Sequence, residues 1–237
     1  MANFNTHLAV AAVAGGGFAS LALGLGLATP PQVATLVLLV TIGGILPDID
    51  LDYSTPTQLL FSAMGLIAAF LVLSLQAEHF SLFELWLAAG FSYAVIRYPA
   101  WEFFSRYTVH RGIFHSLLAL LFFTFLSATL AYHLFDSSRE LAWLAGIAVG
   151  LGYLVHLLLD ELYSVDFIGK RLKRSFGTAL KPLNRKDPKS SLLMTGAALL
   201  ALLMTPDLAP LLEHLSDATH WQQLGDKVWP QGVWFST

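Results

Sequence analysis

Seven side chains of types that hold metal ions or move protons stand in short motifs of this sequence. They are His7, Asp48 and Asp50 in PDID, His110 and His115 in HRGIFHS, and His156 and Asp160 in HLLLD. The 237-residue chain contains no cysteine, so disulfides and thiolate metal sites are excluded and any metal must be held by imidazole and carboxylate. His156 and Asp160 are four apart, which on a helix places both on one face, able to grip one ion or bridge two; the same spacing also suits an ordinary hydrogen-bonded pair. In PDIDLD the alternation lets Asp48 and Asp50 point the same way if the segment is extended. With Asp52 they could equally form a solvated cap on the next helix. His110 and His115 are five apart with Gly112 between them, a spacing that does not stack on a regular helix and predicts His110 in a loop or first turn. Arg111 supplies a fork suited to a phosphate or carboxylate.

Such residues are useful only if the chain brings them to one place. The composition is 56% hydrophobic and 12% charged, with a mean hydropathy of +0.64, whereas a soluble domain carries about a quarter charged residues. This is the composition of a membrane protein. Hydropathy suggests seven spans, roughly 8–28, 33–47, 58–76, 82–98, 113–134, 140–162 and 191–206, several of them near the ~20 apolar residues a crossing helix needs. The predicted fold is all-α, a polytopic membrane helical bundle of about seven transmembrane helices. The second span is short and stops at Pro47, and the last is interrupted by the prolines and Asp207 of MTPDLAPLL. No Lys or Arg precedes the first span, unlike a secretory signal, so this helix is expected to be retained.

Orientation follows from the basic residues. Eight of the thirteen Lys and Arg lie between Lys170 and Lys189, which predicts a cytoplasmic segment there. Counting spans backwards makes the N-terminus cytoplasmic, together with 47–57 and 98–112. Arg97, Arg106 and Arg111 then join the same side, leaving only Arg139 and Lys227 opposite. The basic stretch is read as an orientation signal and a contact for anionic membrane lipids, with no nucleic-acid partner. The expected organisation is a membrane-embedded core over 1–168, a basic cytoplasmic loop over 169–190, and an additional transmembrane helix with an amphipathic outer tail over 191–237.

On this topology all seven metal-type side chains, with Asp52 and Arg111, arrive at the cytoplasmic ends of their helices. The other four histidines, His79, His133, His214 and His220, fall at opposite ends or in the tail and receive no role. Gly15, Gly16, Gly17, Gly24 and Gly26 are expected to form a small-residue packing face. Trp101, Trp221, Trp229 and Trp234 are expected to act as interfacial anchors. Two other readings use the same residues: a metal or proton transporter, and a scaffold in which His and Asp make only structural hydrogen bonds. Clustering at one surface rather than the midplane weighs against transport.

In their order, His7, PDID, HRGIFHS and HLLLD resemble the YdjM family of LexA-regulated inner-membrane proteins, described as metal-dependent hydrolases. The resemblance spans about residues 1–168. It implies that His7, Asp48, Asp50, His110, His115, His156 and Asp160 form the metal site, in the inner membrane of a bacterium. The ligand types are also similar to those of zinc phospholipase C enzymes, which favours zinc, with Mn or Mg as alternatives and two or more ions. After Asp160 the sequence ELYSVDFIG departs from the family pattern of Thr and Gly. The mechanism expected is hydrolysis of a phosphoester by a metal-activated water, with Arg111 on the phosphate and Asp52 accepting the proton. Glu102 and Glu161 are further candidates for the latter role. A site at the interface points to a lipid or lipid-linked substrate.

Overall fold

Helices occupy all seven apolar stretches. The computed structural model describes residues 3–50, 55–103, 112–166, 171–172, 177, 180–184 and 187–228, with the backbone alone at 50, 55, 56, 59, 60, 165, 166, 171 and 172. The helices are α1 (Phe4–Gly24), α2 (Pro30–Gly43), α3 (Thr55–Gln76), α4 (Leu82–Val95), α5 (Leu117–His133), α6 (Arg139–Leu162), α7 (Pro188–Leu203), α8 (Ala209–Ser216) and α9 (Ala218–Val228). Local chemistry sets the starts: Asn3, Ser81, Ser116, Ser138 and Asp187 each accept a backbone N–H at a helix N-terminus. Thr29 and Gln32 form a capping box ahead of α2. By length and composition, α1 and α6 are long and apolar enough to cross a membrane, and α2, α5, α7 and residues 61–76 of α3 are shorter apolar helices.

Two compact units emerge. In the first, residues 1–47 and 115–237, α6 is the central helix and packs on α1, α2 and α5, while α7 packs on α5. Small residues allow these crossings. A Cβ added at Gly43 or Gly152 would collide with the backbone of Val149 or Val40 across the α2–α6 contact. One at Gly146 would meet the Thr124 carbonyl of α5 at 2.6 Å. Of the five glycines expected to form a packing face, Gly15 meets Val37 of α2 and Gly24 meets Leu224 of α9, but Gly16 and Gly17 face open space. Gly26 serves the turn after α1 instead, at φ +75°.

Hydrogen bonds tie the two ends of this unit. At one end the amides of Leu117 and Leu118 donate to the carbonyls of Lys181 and Pro182 at 3.0 and 3.1 Å, so the segment after α6 caps α5. Val165–Asp166 pairs antiparallel with Arg171–Leu172, and Gly177 N–H donates to Glu161. At the other end Thr129, His133 and Trp143 donate to the carbonyls of Ala201, Met204 and Pro206. His214 and Lys227 likewise donate to Leu25 and Gly24, where α1 leaves carbonyls without helical partners.

In the second unit, residues 48–114, α3 packs on α4, with Gly65 giving room to Tyr93. α4 continues into a π turn, Ile96–Ala100, that contains Pro99. There Arg97 donates to Gln58 Oε1 at 3.3 Å and lies over the rings of Tyr98 and Trp101.

Candidate metal centre

Four of the expected residues meet in the first unit. The Asn3 cap fixes where α1 begins, which turns His7 onto the inward stripe of Ala11, Gly15, Ala19 and Ala22. His156 and Asp160 sit one turn apart on the buried face of α6. His115 immediately precedes Ser116, whose hydroxyl caps α5 through Ala119 N–H at 3.2 Å. All four side chains are buried, none more than 2% exposed. α1 and α5 thus contribute residues from their N-terminal ends, and α6 from its C-terminal end.

Three imidazoles converge on one carboxylate. His7 Nε2 lies 3.3 Å from Asp160 Oδ1, while His115 Nε2 and His156 Nε2 lie 3.6 and 3.9 Å from Oδ2. The His7 and His156 rings stack at 3.8 Å, 12° from parallel, and His115 stands edge-on to His156 at 5.7 Å. One nitrogen of each of His7 and His156 and one oxygen of Asp160 lie within 4.8 Å of one another. Two donors on one tetrahedral zinc, at about 2.0–2.2 Å from it, stand roughly 3.3 Å apart, whereas hydrogen bonds from nitrogen to oxygen centre near 2.9–3.0 Å. The observed spacings match donors facing a shared cation better than a hydrogen-bonded pair.

Proton placement supports the same reading. His156 Nδ1 lies 2.7 Å from the carbonyl of Gly44, and a carbonyl can only accept, so Nδ1 carries the proton. Nε2 is then the atom of His156 that faces Asp160 Oδ2, 3.9 Å away. A ring nitrogen and a carboxylate oxygen held face to face in a buried place suit a positive charge between them. The outer partner that fixes the ring is the one a metal-ligating histidine generally has. Its origin is local: Gly44 ends α2, and Pro47 has no N–H to return to it three residues later. His7 Nδ1 is buried with no hydrogen-bond partner among the described residues. The donor set therefore fits a divalent cation.

Asp48 and Asp50 lie in a 3-10 turn, Leu46–Asp50, rather than an extended segment, because Pro47 at its second position favours helical φ. The alternation argument for their common direction therefore does not apply. The Asp48 side chain is buried. Asp52, His110 and Arg111 lie outside the described residues. Residues 112–116, GIFHS, are bends rather than helix. Of the four histidines without a role, His133 and His214 donate to backbone carbonyls, and His220 stacks on His214 at 3.8 Å. Glu161 accepts the Gly177 amide. Sequence reasoning missed the Gly44 carbonyl, which carries no side-chain signal, although Gly43, Gly44 and Pro47 together mark the place where α2 must end.

Curated proteins and solved structures give no match to the chain. A family model described as YdjM inner membrane protein matches residues 1–224. The match takes in the basic segment and most of the C-terminal tail, beyond the 1–168 that the motifs alone delimit. A buried His/Asp cluster on apolar helices, carried by a match over nearly the whole length, leads to one statement of kinship: the chain belongs to the YdjM inner membrane protein family.

Proposed function

We propose that this protein is a multi-pass inner-membrane, metal-dependent hydrolase that cleaves a phosphoester of a lipid or lipid-linked substrate at the cytoplasmic face. The observation that carries the reading is the meeting of three imidazoles on Asp160, with the His156 tautomer set by Gly44. His7, His115, His156 and Asp160 hold the ion, and a nitrogen-rich set without thiolate favours zinc over magnesium. When bound, such an ion supplies Lewis acidity, making water acidic enough to attack at neutral pH and drawing charge from a phosphoryl oxygen. Asp48, Asp50 and His110 remain the sequence-based candidates for ligands to a second ion. Arg111 offers two parallel N–H donors to phosphoryl oxygens, and Asp52 accepts the proton of the attacking water. The cytoplasmic orientation rests on the eleven basic residues that the seven-span reading places on one side.

The test begins with metal analysis of purified protein, followed by chelator-sensitive release of phosphate or head group from a panel of phospholipids and lipid-linked phosphates. Wild type is expected to hold at least one divalent ion per chain and to turn over one substrate class. Asp160→Ala and His115→Ala should lower turnover by more than about 100-fold, since even outer partners of metal ligands cost 10–100-fold. Bound metal with no turnover across the panel, and with ion flux in proteoliposomes, would replace hydrolysis by transport. A metal-free protein with full stability would leave a scaffold.

A further inference from the structure

At the end of the first unit away from the His/Asp cluster, α2 and α5 flank α6 and leave a groove of about 400 Å³, within the range of roughly 300–1,000 Å³ usual for small-ligand sites. Its floor is Leu141 and Ala145 of α6, and its walls are Leu36 and Leu39 of α2 with Leu130 and Ala131 of α5. We propose that this groove is a binding site for one acyl chain of a membrane lipid, in the leaflet opposite the His/Asp cluster.

Three features carry the assignment. The lining is mainly apolar, with Leu, Ala or Phe at seven of its eleven positions; of the four polar residues, Gln32 and Thr35 lie in the first half of α2, Ser137 just before α6, and Ser127 within α5. Apart from Ser127, polar groups lie toward the helix ends and hydrocarbon inward, as in one leaflet. The depth also fits: from Gln32 to Leu39 the α2 wall rises about 10 Å at 1.5 Å per residue, less than the ~15 Å hydrocarbon half-thickness. Finally, the surface beside the groove is already lipid-facing in character. Leu38 next to one wall is 57% exposed, and Leu130 and Phe135 on the other side are 43% and 64% exposed, in a chain belonging to an inner-membrane family. In such a setting an apolar volume that protein leaves open is filled by hydrocarbon rather than water. The site shares no residue with the metal cluster, so it rests on the multi-pass part of the proposed function and not on the hydrolase reading.

The experiment uses full-length protein in vesicles of phosphatidylethanolamine and phosphatidylglycerol doped with a phospholipid carrying a diazirine on one acyl chain. After illumination, cross-linked residues are mapped by peptide mass spectrometry. Labelling of Leu39, Leu130 and Leu141 is expected to exceed that of exposed Leu66 and Phe70 on α3, to saturate with unlabelled lipid, and to fall at least fivefold in Ala131→Phe. Thermal melting establishes that the variant is folded, and Ser127→Leu, which narrows the same groove, replaces it if it is not. Groove labelling no higher than on α3, or unchanged by the filling substitution, overturns the proposal.

Discussion

The Gly44–His156 bond makes the proposed metal centre testable one nitrogen at a time. Asparagine at position 156 can place an N–H where Nδ1 now donates to Gly44, but it has nothing at the position of Nε2. In metal-free protein, His156→Asn should keep the carbonyl satisfied, whereas His156→Ala leaves a buried acceptor at the end of α2 unpaired. An unsatisfied buried group costs about 1–3 kcal/mol, so the alanine variant should be less stable than the asparagine variant by about that amount. At roughly 2–4 °C per kcal/mol for a chain of this size, the two should melt about 2–12 °C apart in chelator. Metal adds a second axis: ligand at 100 times its dissociation constant stabilises the native state by about 2.7 kcal/mol, close to 5–11 °C. Wild type should gain that shift when zinc replaces chelator, and both variants should lose it. Differential scanning fluorimetry in detergent, with zinc affinity from a competing fluorescent chelator, reads both effects. Zinc binding by His156→Asn at wild-type affinity would show that Nε2 is not a ligand. Equal melting of the two apo variants would refute the role given to Gly44.

The helix crossings and caps give further expectations. Gly152→Ala puts a methyl onto the Val40 backbone and should force α2 from α6, lowering both melting temperature and zinc affinity. Gly16→Ala, with nothing within 4 Å, should leave both within about 0.5 kcal/mol of wild type. Trp143→Phe removes the indole donor to Pro206, 2.9 Å away in a buried place, and should cost about 1–3 kcal/mol with no change in zinc affinity. The Ser190 hydroxyl and amide hold the Asp187 carboxyl below its usual range. A lowered folded value means the contribution is present above the unfolded value of about 3.9 and is lost as pH falls through the folded one. Wild type should therefore melt above Asp187→Ala at neutral pH, and the gap should close in melts taken progressively below pH 4.

Side-chain periodicity was the readable part of this chain. The four-residue spacing of His156 and Asp160 predicted a shared helical face and produced one. His7 and His115 were placed by span ends, and the capping residues Asn3 and Ser116 beside them account for why those ends fall there. What periodicity could not carry was backbone geometry. PDID reads as an alternating strand on paper, yet Pro47 sets a φ that suits a 3-10 turn, and the predicted common direction of Asp48 and Asp50 does not follow. The span at 33–47 likewise ends early as a helix, at Gly43, with Gly44 as its C-cap and Pro47 unable to return an N–H to the last turn. The Pro206–Asp207 break correctly split the last span from the tail, with α7 ending at Leu203 and α8 starting at Ala209. The bond of His214 to Leu25 and its stacking with His220 anchor the tail to the end of α1, a long-range contact no local pattern encodes.

The two amides that follow Ser116 take their acceptors from Lys181 and Pro182, more than sixty positions later in the chain. His115 is therefore not yet locked into place when translation of α6 ends, even though every donor atom from His7 to Asp160 has by then been made. If the cluster takes up an ion as proposed, loading becomes a late event, tied to arrival of the segment beyond α6, and chains truncated before that segment should bind no zinc.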